Sequence, residues 1–434
     1  MSRKMHLVAY LKTGPTANHV GGWRHPEATL DDILEPSRYE RIAGVLEDAC
    51  YDACFFADLM GLYDIHGGNY DVYVRHGGQI SFIDPLMVLP IMARATRHIG
   101  LGATLSTTFY HPYHLARQLL SLDLISKGRV AWNVVTSATA LEAQNFGMEN
   151  LPPKDMRYDM ADEVVEACMK LWHSWEPDAF VLDKESGVLA DPSKVHYANY
   201  KGKYVSSRGP LSIPSSPQGH PVIMQAGASP RGREFAARWA EVVFAAPGER
   251  KAMGAFYEDV KARTVAAGRR PEDCKILVNA TCIIGETESI ARERADFVNA
   301  LAEEELAVAW QSNSIGVDLT RHVEGASIAE AQGTQGMQGS VDSLMHQSQA
   351  RGLSLSEIVR QPVPDQIVGT PMQVADILSD MFESNLCDGF VLAPVTHPIS
   401  HETFARSVVP ILQRRGLFRT RYEGNTLREN LRTP

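Results

Sequence analysis

Several polar residues in this 434-residue chain stand where an apolar, β-branched run stops. Asp58 follows the run 53–57, Thr104 closes 99–104, Asn133 and Ser137 sit in and just after 130–135, and Ser229 follows 221–225. Short apolar runs of this kind suit parallel strands covered on both faces. The C-terminal ends of such strands are where α/β folds build their chemistry. The groups collected there are hydrogen-bonding and mostly neutral. They lack the nucleophile, base and orienter of a hydrolase, and they contain no carboxylate–histidine set suited to a metal. Gly227-Ala228-Ser229-Pro230 adds a small-residue turn with Ser at the N-cap and Pro at the first helical position. A helix start of that form offers free backbone N–H groups and the positive end of the helix dipole to a phosphate. Tyr158 stands at another helix start. The set suits a site that holds a phosphorylated heterocycle and leaves the difficult step to it, although strand ends and ordinary helix caps would use the same residues. His25 in the loop Trp23-Arg24-His25-Pro26, Tyr63 in the polar stretch 61–84, and His111 three residues before His114 are the candidate proton donors or orienters.

The elements that must position these groups follow a regular alternation. Strands are expected over 5–11, 53–57, 99–104, 130–135, 221–225, 241–246, 275–284 and 388–394. Helices are expected over 39–49, 85–96, 115–126, 157–175, 230–240, 250–266, 286–301, 371–383 and 401–415. Eight strands alternating with helices is the pattern of a (β/α)8 TIM barrel, read here as one domain over 1–434. Two long insertions interrupt it after strands 4 and 7, at about 176–220 and 310–366. The second is rich in Gln, Ser, Gly and His, which suits a mobile cover over the site or an insertion without its own core.

Composition narrows the class. Hydrophobic content of 44% with 22% charged residues describes an ordinary globular enzyme. A formal net charge of −10 advertises no basic face for nucleic acid. The six cysteines show no zinc or disulfide spacing, so a reducing, cytoplasmic setting is expected. No run approaches the ~18 apolar residues of a membrane span.

Taken together, Phe56-Ala57-Asp58, the run from Ile99 through Thr104 to His111-Pro112-Tyr113, Gly128-Arg129-Val130-Ala131-Trp132-Asn133-Val134-Val135-Thr136-Ser137, Asn145-Phe146-Gly147, Arg157-Tyr158-Asp159, Pro221-Val222-Ile223-Met224-Gln225-Ala226-Gly227 and Arg415-Gly416-Leu417-Phe418-Arg419 resemble one group over nearly the whole chain. It is the nitrilotriacetate, dibenzothiophene sulfone and long-chain alkane monooxygenase branch of the luciferase-like flavoproteins. The resemblance implies a barrel that takes reduced FMN from a separate NAD(P)H:flavin reductase, forms a flavin C4a-peroxide with O2, and oxygenates a small organic substrate. It further implies that Asp58, Thr104, Asn133 and Ser137 line the flavin ring and ribityl chain. Tyr158 and Ser229, with the backbone N–H groups of Gly227 and Ala228, would hold the phosphate. The group commonly carries a histidine four residues before the tyrosine, where this chain has Lys154. The runs Gly77-Gly78-Gln79 and Gly100-Leu101-Gly102-Ala103-Thr104 lean toward an organosulfur or aromatic substrate, and relatives suggest a homodimer or homotetramer. Two other readings remain: a hydride-transfer oxidoreductase using a deazaflavin or flavin, and a non-catalytic flavin-binding protein.

Overall fold

The computed structural model describes residues 3–319, 357–358 and 366–432. Eight parallel strands close a barrel: β1 (His6–Leu11), β2 (Ala53–Phe56), β3 (Gly100–Ser106), β4 (Val130–Val135), β9 (Val222–Gln225), β10 (Val242–Ala245), β11 (Lys275–Ile284) and β13 (Gly389–Leu392). Each pairs with the next in sequence, and β13 returns to β1 through His6↔Gly389 to Ala9↔Leu392. The fold is therefore the expected (β/α)8 barrel. A further strand, β12 (Gln366–Gly369), lies parallel to the end of β11 (Thr281↔Gln366).

Side-chain alternation decides what fills the barrel. Val8, Ala53, Phe55, Ala131, Val222, Met224, Val242, Leu277 and Val391 point inward as one cluster. The residues between them, such as Leu7, Cys54, Leu101, Trp132 and Ile223, face the helices and join the larger outer core. Inside, Phe55 stacks on Phe244 with ring centroids 4.5 Å apart and meets Tyr10 edge-on at 5.4 Å. Gly102 makes room for this layer, since a Cβ there would lie 2.6 Å from the Cβ of Phe55. The three rings form a floor across the barrel.

Below the floor, at the N-terminal ends of the strands, the barrel is closed by a short helix that the sequence reading did not anticipate, Leu427–Arg432. Leu427 and Leu431 enter the inner cluster. Arg428 anchors the helix by two hydrogen bonds to Glu241, at 2.7 and 2.8 Å.

Several expected boundaries shift. The helix expected over 157–175 runs Lys154–Trp172, and the one expected at 115 starts at Pro112 with His111 as its cap. The closing helix is two, Ile399–Ser407 and Val409–Arg414. The stretch 61–84 holds a short helix, Asp71–Arg75. It is also not too polar for the core: Tyr63 and Tyr73 are buried in it, because aromatic bodies can pack while their hydroxyls face polar neighbours. The first insertion forms two hairpins, β5 (Phe180–Asp183) with β6 (Val188–Ala190), and β7 (Tyr200–Lys201) with β8 (Ser206–Ser207). Its return is tied to the entrance of β4, where Gln218 donates to Asp123 and to the Val130 carbonyl. The second insertion, expected from 310, begins within a helix, Glu304–Ile315, ended by Gly316 in the left-handed conformation. Residues 320–356 and 359–365 of that expected cover lie outside the described residues.

Burial pushes the Glu241 carboxyl up, but Arg428 outweighs it and leaves it below its ordinary value. Arg428→Ala leaves that carboxylate buried without its partner and is expected to cost on the order of 3 kcal/mol. A lowered folded-state value means the pair stabilises the fold above the ordinary carboxylate range and loses that contribution as pH falls. Thermal melts of wild type and variant should therefore differ most at neutral pH and converge in acid; equal melting temperatures at pH 7 would refute the anchoring role.

Candidate active site

Above the aromatic floor the barrel wall turns polar. On β3 and β4 the inward positions are Thr104, Ser106 and Asn133. Asn133 Nδ2 donates to Thr104 Oγ1 at 2.9 Å, and that hydroxyl donates to the Phe56 carbonyl at 2.7 Å. The strand pairing Thr104↔Asn133 puts the two side chains opposite each other. Asn133 Oδ1 is buried and accepts nothing from the described residues. One step higher, Ser137 Oγ bonds Ser106 Oγ at 3.0 Å and Glu142 Oε1 at 3.2 Å, while Thr139 donates to Glu142 Oε2 at 2.8 Å. Ser137 has φ of 59°, an uncommon conformation for a residue with a Cβ. The Arg157 guanidinium donates to its carbonyl and ties this turn to the helix Lys154–Trp172.

Asp58 follows β2 directly and accepts from Leu59 N at 2.9 Å. Burial pushes its carboxyl up, while the Ser81 hydroxyl and the Lys12 ammonium pull it back. Lys12 itself, directly after β1, is only 3% exposed. Burial lowers it to about 8, against the opposing pull of Asp58 and Glu142.

The third part lies after β9. Ser229 caps the helix Pro230–Trp239, accepting from Gly232 N at 3.1 Å. Tyr158, in the first turns of its own helix, leans over this cap. A Cβ on Gly227 would lie 2.5 Å from Tyr158 Oη, and one on Gly232 would lie 2.8 Å from it. The tyrosine hydroxyl thus rests against a wall that only glycine leaves open. Burial raises Tyr158, with Ser229 the first of the neighbours that oppose it. The guanidinium of Arg231 lies 5.6 Å from the Tyr158 ring and is held by Asp159 and Asp162. Gln225 Oε1, at the end of β9, is a second buried acceptor without a donor. Lys154 opens the helix one turn before Tyr158, so both lie on one face.

The expected residues therefore fall into two linked groups. Asp58, Thr104, Asn133 and Ser137 line the wall from β2 to β4, and Tyr158, Gly227, Ala228 and Ser229 surround one helix start. Of the three candidate proton donors, Tyr63 reaches this region: it is buried against Tyr73, and Glu142 and Tyr10 act on its hydroxyl, which burial raises. His111 is exposed, and its Nδ1 accepts from Tyr113 N at 3.2 Å as a helix cap. His25 packs edge-on against Phe297, on the helix Glu288–Ala300, and is not hydrogen-bonded to the wall. Sequence reading missed Lys12, Ser106 and Glu142. Lys12 had a signal, a lone cation closing an apolar strand; Glu142 had none.

A (β/α)8 barrel with a mostly uncharged polar wall and a glycine-cleared helix start is an enzyme-type barrel whose mouth suits a phosphorylated cofactor. The model of the luciferase-like monooxygenase family matches residues 16–387, and the chain belongs to that family. A dibenzothiophene-sulfone monooxygenase of Rhodococcus erythropolis (strain XP) is 42% identical over 441 residues, covering 99% of this chain and 96% of that protein. A long-chain alkane monooxygenase of Geobacillus thermodenitrificans (strain NG80-2) is 37% identical, covering 99% and 94%. A crystal structure of a riboflavin lyase with modified FMN and riboflavin superposes with a TM-score of 0.90 at 34% identity, covering 99% of this chain and 96% of that one. The protein is accordingly a flavin-dependent monooxygenase. No helix among the described residues is long and apolar enough to cross a membrane.

The two donorless buried acceptors and the open glycine wall fit a flavin mononucleotide, whose hydroxyls donate and whose phosphate suits a helix start. Gly227→Ala would put a Cβ 2.1 Å from Gln225 Nε2 and 2.5 Å from Tyr158 Oη, so both side-chain ends must shift within the cradle. It is expected to weaken FMN binding by at least about tenfold while leaving the melting temperature within a few degrees, since such overpacking costs ~1–3 kcal/mol and falls on the two side chains that face the cradle. Unchanged FMN affinity, read by fluorescence quenching, would remove the phosphate from this turn.

Proposed function

We propose that this protein is the oxygenase component of a two-component system. It takes FMN already reduced by a separate NAD(P)H:flavin reductase, and uses O2 to oxygenate a small organosulfur or aromatic compound. The observation that carries the reading is the pairing of the Tyr158–Gly227–Ser229 cradle with the Asn133–Thr104 wall, one suited to a phosphate and the other to a polar ring. In this reading Tyr158, Ser229 and the N–H groups of Gly227 and Ala228 hold the phosphate, with Lys154 one turn away as a further cation. Ser137 and Asn133 meet the ribityl chain and ring, and Thr104 fixes the Asn133 amide by occupying one of its donors. Asp58 bounds the far side. Bound reduced flavin supplies the two electrons with which O2 yields one oxygen atom for the substrate and one for water.

The protein's own task is then to exclude solvent and hold protons. Phe55, Phe244 and Tyr10 seal the barrel from below, and Tyr63 and Tyr73 pack above it, so charge near the ring would act in a medium of low polarity. Tyr63 is the best placed of the three candidate donors, kept protonated by burial. The sulfone-oxidising relative at 42% identity supports the organosulfur class. The hydride-transfer and non-catalytic readings gain no such support. A homo-oligomer is in keeping with the apolar surface of the β5–β6 hairpin, where Leu182 and Leu189 are 64% and 66% exposed.

The test is an anaerobic titration with reduced FMN followed by rapid mixing with oxygenated buffer, with and without aromatic sulfones and thioethers. Saturable binding of reduced FMN, and product matching the oxygen consumed for one of these compounds, are expected. Prompt flavin reoxidation to hydrogen peroxide across the whole panel would overturn the substrate class. Substrate reduction without oxygen uptake would overturn the monooxygenase reading.

A further inference from the structure

One buried charge at the mouth of the barrel has no task in the function proposed for it. Lys12 continues the inward alternation of Val8 and Tyr10 and stands at the mouth of the barrel, above the aromatic floor. Only 3% of the residue is exposed. Two carboxylates act on it, Asp58 from the end of β2 and Glu142 from the helix Ala140–Asn145 after β4. Asp58 follows the strand paired to β1 and Glu142 follows β4, so Lys12 faces the part of the rim that runs from β2 to β4. Neither is within ion-pairing distance, and the ammonium makes no hydrogen bond to the described residues. Glu142 is already engaged by the hydroxyls of Ser137 and Thr139. A lysine ammonium has three donors to satisfy, and a buried charge without a partner costs several kcal/mol. Such an arrangement is stable in use when a ligand brings the missing negative charge.

We propose that Lys12 is the residue that makes this site prefer reduced over oxidised FMN, by pairing with the negative charge of the ionised reduced ring. The inference rests on the reading of this mouth as the flavin site. Oxidised FMN carries a neutral ring, so a fixed cation beside the ring discriminates between the two forms, whereas the phosphate cradle holds both equally. An enzyme that receives its flavin reduced, from a mixture containing both forms, needs such a discrimination. Burial lowers the ammonium only to about 8, so it remains largely protonated at neutral pH.

The test compares dissociation constants for reduced and oxidised FMN, measured anaerobically and aerobically at pH 7, for wild type, Lys12→Met and Lys12→Arg. Wild type is expected to favour the reduced form. Lys12→Met should lose at least about tenfold of that preference, mostly through weaker binding of the reduced form, and Lys12→Arg should keep most of it, because an opposite charge within a few ångström is worth 1–3 pKa units. An unchanged ratio in a folded Lys12→Met protein overturns the proposal while leaving the flavin reading intact. If that variant does not fold, Lys12→Gln carries the same comparison. Weakened binding of an acidic substrate with an unchanged FMN ratio would assign the charge to the substrate and also overturn it. Failure of wild type to bind either form would remove the flavin reading itself.

Discussion

The stack of Phe55 on Phe244, closed by the edge of Tyr10, is the contact on which the two halves of this barrel depend. Three rings cannot occupy one layer of an eight-stranded barrel unless some strands contribute little there, and Gly102 meets that condition on β3. Below the layer the inward residues are aliphatic, so the short C-terminal helix can be drawn in by Leu427 and Leu431. Above it the same strands can carry Thr104, Ser106, Asn133 and Lys12, because nothing apolar must pass that level to fill the core. The floor therefore separates a dry interior that gives stability from a polar cup that gives chemistry. It also sets the low polarity in which the charges of the cup act.

Within the cup, neutrality and charge are distributed unevenly. The side from β3 to β9 is built mostly of hydroxyls, amides and a helix start, with Glu142 as its carboxylate, and its links run through strand pairing: Thr104 opposite Asn133, Ser106 opposite Val135 and so beside Ser137. These groups are fixed by one another and leave single acceptors over, at Asn133 and Gln225. The side from β1 to β2 holds the buried lysine and a carboxyl raised by desolvation. A phosphorylated heterocycle laid across the cup would meet backbone N–H groups at one end and fixed charge at the other. Orientation then follows from chemistry at the two ends, without a contact that must be strong by itself.

Legibility from sequence followed the same division. The eight strands were readable because each is a short apolar run buried on both faces, bounded by a polar residue or glycine, and their order alone implied the barrel. Asn133, Ser137, Tyr158 and Ser229 were readable because a strand end or helix start marks each by position. Glu142 and Ser106 were not, since one lies in an ordinary helical stretch and the other in a run of hydroxyls, Thr104, Ser106, Thr107 and Thr108, that does not mark which of them points inward. The burial of Tyr63 and Tyr73 was not legible because the stretch 61–84 around them is polar. The helix Leu427–Arg432 was missed because six residues show too little periodicity; only the barrel's open end gives its two leucines a place to go.

Lys12 shows why a strand-end residue can be overlooked although its type is plain. A lysine closing an apolar strand normally reads as a charge returning to solvent, and its long stem usually allows that. Here alternation opposes it: with Val8 and Tyr10 inward, the next position on that face also points into the barrel, where Lys12 is left 3% exposed. An arginine or lysine one residue earlier, at Leu11, would have faced the helices and been excluded by the outer core. The same charge one position on is admitted because the cup is polar, and it is costly there unless a ligand answers it. Burial and alternation, with no carboxylate in ion-pair contact, converge on one property: a ligand that brings negative charge to this wall gains more there than a neutral one.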